Sequence, residues 1–224
     1  MFTRTFKILF VFCLAISLIA SCKKDDYVSG GSLHTAITSL NNIDYLKGNQ
    51  MRLFDTLVLL AERFNLVDEI NNAKTFFAFT DYSIGLMITL KLQAKQLSDP
   101  SARYTLDSLV KDISADSVRQ YLFNETIELA TASELKATPY TSLGKTSNGV
   151  LKQLQAGAPY TDRTSAATFL LFFVKVRGSL DEPGVTPPLN QNDIPVVCQT
   201  TGIKTSNGAT TLHVLSNTHT FVRF

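Results

Sequence analysis

Proton transfer, nucleophilic attack and metal binding need particular side chains, and few of them occur in this chain. Its 224 residues include three histidines, His34, His213 and His219. His213 lies between Leu212 and Val214 and reads as a satisfied structural histidine. As a base or ligand it would need partners from elsewhere. His219 follows in the strand-like run Thr218-His219-Thr220-Phe221, and a metal there would require a further ligand from a distant segment. His34 is expected to face solvent. The carboxylate pairs Asp25-Asp26, Asp68-Glu69 and Asp181-Glu182 are neighbours in sequence. Adjacent side chains point different ways on a helix or strand, so none is by itself an acid–base couple. Phosphate-cradling loops, nucleophile elbows and His-Glu-x-x-His helices are missing from the sequence. The expectation is a protein that is not an enzyme, with no catalytic, cofactor-binding or metal residue. A hydrolase built from carboxylates on distant segments is the reading that sequence leaves open.

Of the three cysteines, Cys13 and Cys22 fall in or just after an apolar leader and Cys198 stands alone. One thiol makes no internal disulfide, and there is no Cys-x-x-Cys pair for zinc or redox work. Cys198 reads as a buried structural thiol in a strand; a nucleophile would want a histidine nearby. The leader is basic at Arg4 and Lys7 and apolar from Ile8 to Ala20. That run is shorter than the roughly 20 residues of a bilayer span, and small residues follow it, as in a secretory signal. Leu18-Ile19-Ala20-Ser21-Cys22 resembles the lipobox of bacterial lipoproteins. The resemblance implies that residues 1–21 are removed as a signal peptide and that Cys22 is acylated, with palmitate-type chains. An ordinary signal with a chance cysteine is the alternative. Lys23-Lys24-Asp25-Asp26 is similar to the short export signals on surface lipoproteins of Bacteroidetes-like bacteria. Residues 22–32 then form the acylated cysteine and a flexible tether, ending Tyr27-Val28-Ser29-Gly30-Gly31-Ser32. The expected location is the bacterial outer membrane, lipid-anchored and surface-exposed.

The leader carries two of the 21 basic groups and none of the 19 acidic ones, so the remaining chain is formally neutral. A neutral balance argues against nucleic acid, whose phosphates demand surplus Lys and Arg. The 45% hydrophobic content is ordinary for a globular chain and argues against disorder.

The elements that must position these residues divide into an early helical and a late β part. Leu53, Phe54, Leu57, Val58, Leu60, Ala61 and Phe64 recur at helical spacing. Ile37, Leu40, Ile43 and Leu46 predict a shorter helix before them, closed by Gly48. The compact run Lys74–Thr80 reads as a buried strand, with Asp81 as the N-cap of a helix reaching about Leu97. Two more amphipathic stretches follow, through Leu106–Ile113 and then Val118–Leu122. Strands are expected around Ile127–Leu129, Val150–Leu154, Phe169–Val176, Val196–Cys198, Ile203–Thr205 and Thr211–Leu215. Asn207-Gly208 is the turn between the last two, and Asp181–Pro188 a loop. The prediction is one α+β domain over residues 33–224.

Thr75-Phe76-Phe77-Ala78-Phe79-Thr80-Asp81, preceded by Leu66-Val67-Asp68, and Asn207-Gly208 followed by His213-Val214-Leu215 resemble the two motifs of fasciclin (FAS1) domains. The resemblance spans roughly residues 33–224 and implies N-terminal helices packed on a wedge of short strands. It assigns structural roles to Thr80, Asp81, Asn207, Gly208 and His213. The departures are Phe79 for the usual proline, Ile84 for the usual phenylalanine, and four residues between Asn-Gly and His213 where about two are usual. The family's central Tyr-His pair aligns with Phe123-Asn124. Cell adhesion is the function implied: a non-catalytic, lipid-anchored cell-surface module that binds a surface protein or glycan, joined to the membrane through Cys22. The alternative is an accessory glycan-binding lipoprotein of an outer-membrane carbohydrate-uptake complex, with Tyr104, Tyr140 and Tyr160 as candidate sugar platforms.

Overall fold

The computed structural model describes residues 36–155 and 168–222. The expectations for Cys22, His34, the leader, the tether and Tyr160 fall outside them. Six helices and seven strands are described: α1 (Asn42–Lys47), α2 (Asp55–Arg63), α3 (Val67–Asn72), β1 (Thr75–Ala78), α4 (Asp81–Gln96), α5 (Leu106–Asp112), α6 (Asp116–Arg119), β2 (Leu122–Phe123), β3 (Thr138–Thr141), β4 (Ser147–Gln155), β5 (Thr168–Lys175), β6 (Ile194–Thr205) and β7 (Thr210–Leu215). The class is α+β, as expected. The strands form one sheet in the order β2-β1-β7-β6-β5-β4-β3. It nearly closes on itself, since the Leu143 N–H just after β3 donates to the Leu122 carbonyl of β2 at 2.8 Å.

The early helices follow their apolar spacing. In α2, Leu57, Val58, Leu60 and Ala61 are buried against the core. In α1, Asn41 caps the first turn through the Asp44 N–H, while Ile43 and Leu46 turn inward. The expected inclusion of Ile37 and Leu40 in this helix fails. Both are exposed, and Ile37 instead bridges in parallel to Lys204 of β6, because backbone pairing with the end of β6 beyond its ladder with β5 outweighs one extra helical turn. Asn42 is fully buried and accounts for itself by donating to the Ile70 carbonyl at 2.7 Å and accepting from Thr205 at 2.6 Å. It thereby fixes α1 to the end of α3 and to β6 at once.

Every residue of β1 is buried, so it reads as a continuous apolar run instead of alternating. The reason is its central place, paired antiparallel with β2 on one side and parallel with β7 on the other. Two strands went unforeseen. β2 has two residues and continues directly from a helical pattern, so Leu122 is a strand residue where helix was expected. β3 contains Pro139, which lacks a ladder donor and is accommodated because β3 is an edge strand. The reverse error occurs at Ile127–Leu129, which is not a strand. Ile127 is buried there in loop conformation.

The hairpin that ends the sheet has the expected turn. Ser206, Asn207 and Gly208 all have positive φ, of 50°, 57° and 94°, a conformation that Asn and Gly tolerate best. The extra residues before His213 lengthen the hairpin, and β6 carries irregularities between Cys198 and Ile203 opposite β7.

Candidate functional site

The residues singled out by sequence converge on the centre of the sheet. Parallel pairing of β1 with β7 sets Thr75 beside Thr211 and Phe77 beside His213. The two motifs, more than a hundred residues apart in the chain, are therefore adjacent strands. Phe77 lies stacked on the His213 ring at 4.9 Å between centroids and also meets Phe123 edge-on and Phe173. Phe79 packs on Tyr121 at 4.8 Å and Phe221 at 4.5 Å. Such ring contacts add to the large apolar area each phenylalanine buries.

His213 is fully buried with both ring nitrogens engaged. Nδ1 accepts the Gly202 N–H at 3.3 Å, and Nε2 lies 2.9 Å from the Ile127 carbonyl. A carbonyl only accepts, so the proton sits on Nε2 and the ring is neutral. Burial pushes its pKa down to about 4. The bulged segment of β6 delivers the Gly202 N–H to it, which gives the longer hairpin a local purpose. With both nitrogens spent, His213 neither ligates metal nor relays a proton.

His219 is likewise buried. Its Nε2 is 2.9 Å from the Tyr121 hydroxyl, and that oxygen also accepts the Val222 N–H at 3.2 Å. The hydroxyl proton therefore points to Nε2. Burial, assisted by the charge on Lys175, lowers the His219 pKa to about 3. The two histidines do not meet in one site. Each braces a different part of the core. Cys198 is buried as expected, and burial raises its thiol pKa far above the usual range.

Thr80 and Asp81 join β1 to α4. The Thr80 hydroxyl donates to the Asn217 side-chain oxygen at 3.0 Å, tying this junction to the segment after β7. Asp81 is not the N-cap of α4 as expected. Thr80 occupies that position, and the Asp81 carboxylate caps α2 instead, accepting the Thr56 N–H at 2.9 Å. The Asp81 N–H meanwhile donates to the Leu53 carbonyl at 2.8 Å. One residue thus locks the start of α2 against the start of α4, and burial raises its pKa despite these bonds.

The adjacent carboxylates are dispersed. Glu69 makes a two-pronged pair with Arg119 at 2.6 and 2.7 Å, a hydrogen-bonded charge pair that lowers its pKa. Glu182 pairs with Lys136, and the carboxylates of Asp181 and Asp193 each accept the other's backbone N–H across the loop before β6. Among the described residues, no group of three or more His, Cys, Asp or Glu side chains could hold a metal.

The candidate sugar platforms fare differently from expectation. Tyr104 is buried and its hydroxyl donates to Asp112 at 2.7 Å. Tyr140 is half-buried in β3 with its ring edge-on to Phe123. Neither ring is presented as a stacking surface. The polar character of their sequence neighbours concealed contacts made across the fold.

Two larger clefts open among the described residues. One, of about 520 Å³, lies between the β5–β6 edge and the segment after β7 and is lined by Phe172, Lys175, Arg177, Pro195, His219 and Thr220 among others. The Lys175 ammonium donates to the Thr220 carbonyl there at 3.0 Å. The other, of about 530 Å³, runs along α4 past Met51, Leu53, Tyr82, Gly85 and Leu86. Sequence reasoning missed both. The exposed leucines of α4 were the available signal for the second. Asn124 is exposed beside a smaller cleft with Asp68 and Glu69.

No helix among the described residues is long and apolar enough to cross a membrane. No protein-family model matches the chain, and no curated protein matches it.

Proposed function

We propose that this chain is a non-catalytic, lipid-anchored binding module of the bacterial cell surface, a divergent fasciclin-type domain held to the outer membrane through Cys22. The observation that carries the reading is the parallel pairing of β1 with β7. It brings the Thr75–Asp81 motif and the His213-Val214-Leu215 motif together as the centre of one scaffold, with Phe77 on His213. In that arrangement the motif residues hold shape: Asp81 caps a helix, Thr80 fixes the chain after β7, and His213 gathers a loop and a bulge. Binding then belongs to the surface clefts and loops that this scaffold displays. The Lys-Asp run after Cys22 supports outward display.

The test is growth of expressing cells with an alkyne fatty acid, followed by protease treatment of intact cells and cross-linked capture. Expected are a label that Cys22→Ala abolishes, loss of the protein to external protease, and recovery of a cell-surface protein or glycan. Protection from protease in intact cells overturns surface display. Turnover of a substrate that survives His213→Gln but not substitution of paired carboxylates overturns the non-catalytic reading in favour of a hydrolase.

A further inference from the structure

Helix α4 has two apolar faces. Ser83, Ile84 and Met87 turn into the core. On the opposite side Tyr82 is 58% exposed, Leu86 39%, Leu90 37% and Leu97, one residue past the helix, 91%. At 3.6 residues per turn these positions share one stripe with Thr89 and Gln93. The stripe carries no charge over four turns. Met51, 75% exposed, extends it across the cleft that it shares with Gly85 and Leu86. Charge touches only the margin. Arg52 is paired with Asp55 at 2.7 Å, and Asp81 is committed to α2. Lys91 and Lys95 project from the other side of the helix, where Lys95 lies 5.7 Å from the Tyr104 ring centre.

We propose that this stripe docks on the bilayer that holds the chain's own lipid anchor. The inference rests on acylation of Cys22. Fourteen peptide steps separate Cys22 from Ala36, a reach of at most about 46–50 Å. A domain of this length has a radius of gyration of about 16 Å. That reach is comparable to the diameter of such a domain, about 40 Å, and the anchor makes a second contact with the lipid intramolecular, at high effective concentration. The face that gains most from leaving water settles there. An uncharged row of leucines and methionine with a tyrosine at one end suits the boundary between headgroups and acyl chains.

The experiment uses the acylated full-length protein reconstituted in phosphatidylethanolamine–phosphatidylglycerol vesicles. Leu90→Cys and Leu97→Cys carry an environment-sensitive fluorophore, with Lys111→Cys on α5 as reference. Buried Cys198 does not compete for label. Lipids brominated in the acyl chain are expected to quench emission at positions 90 and 97 but not at 111. Adding Leu86→Glu is expected to abolish quenching at 97. Mass spectrometry of Cys22 separates the two ways to fail. Acylated protein whose positions 90 and 97 behave like 111 overturns docking alone, and unacylated Cys22 overturns the anchor and docking together. A blue shift that bromine leaves untouched and that grows with protein density assigns the stripe to a second copy and overturns the proposal.

Discussion

The buried histidines make stability strongly dependent on pH as it falls below the ordinary imidazole range. Both have folded pKa values below the ordinary 6.5, His213 at about 4 and His219 at about 3. As pH falls below 6.5 the unfolded chain takes up a proton at each site that the folded chain refuses, so stability present at pH 7.5 is lost. By pH 5 the linkage amounts to about 2 kcal/mol per histidine, or about 4 kcal/mol together. That figure hardly changes with how far below 5 the folded values lie, because the folded rings are nearly unprotonated at pH 5 in any case. Carboxylates with lowered values, such as Glu69 beside Arg119, begin to cost stability only below this window. Set against the 5–15 kcal/mol typical of a domain, the loss is large. Urea unfolding followed by circular dichroism at pH 7.5 and pH 5 measures it. His219→Phe removes one of the two proton sites and is expected to halve the difference while lowering stability at pH 7.5, since Tyr121 loses its acceptor. A wild-type difference below about 1 kcal/mol would refute the reasoning and mean that water reaches both rings in the folded state.

Four further outcomes are expected. Gly149→Ala places a methyl 2.9 Å from the Ala137 Cβ and 3.2 Å from the Val174 Cβ, and should destabilise by about 1–3 kcal/mol. Gly85→Ala meets nothing within 4 Å in the helix interior and should stabilise by about 0.5–1 kcal/mol in the same urea assay. Asp81→Ala removes the cap of α2 and should cost about 1 kcal/mol, with Asp81→Asn recovering part of it because the amide oxygen still accepts from Thr56. The Cys198 thiol should react with Ellman's reagent only as the protein unfolds, tested on protein whose Cys22 is acylated.

What was legible in the sequence was local. The aromatic run at Thr75–Ala78 announced β1 because a strand flanked on both sides must be apolar throughout, and Leu57, Leu60 and Ala61 announced α2 by spacing. The α+β class and the Asn207-Gly208 turn followed from the same kind of signal. Contacts across the fold were not legible. Asp81 looked like the cap of its own helix because an acid before an amphipathic run has that meaning locally. Its partner Thr56 is twenty-five residues away. His213 was read as structural, yet its acceptor, Ile127, lies in a segment mistaken for a strand. Tyr104 was misread because its burial depends on Asp112 and on the core beneath, not on its polar neighbours in sequence. The clefts are formed by segments with no common motif, so nothing in the chain marked them beyond the surplus leucines of α4.

The place of β7 has a consequence for how the molecule comes into being. Its neighbours are β1, made when roughly a third of the chain exists, and β6, so the middle of the sheet stays vacant until the final few dozen residues arrive. Everything synthesised earlier waits with β1 and β6 unjoined, and assembly depends on closing a very long loop, which slows folding. Stopping synthesis just short of Thr210 would leave a chain with nearly all its mass and no centre.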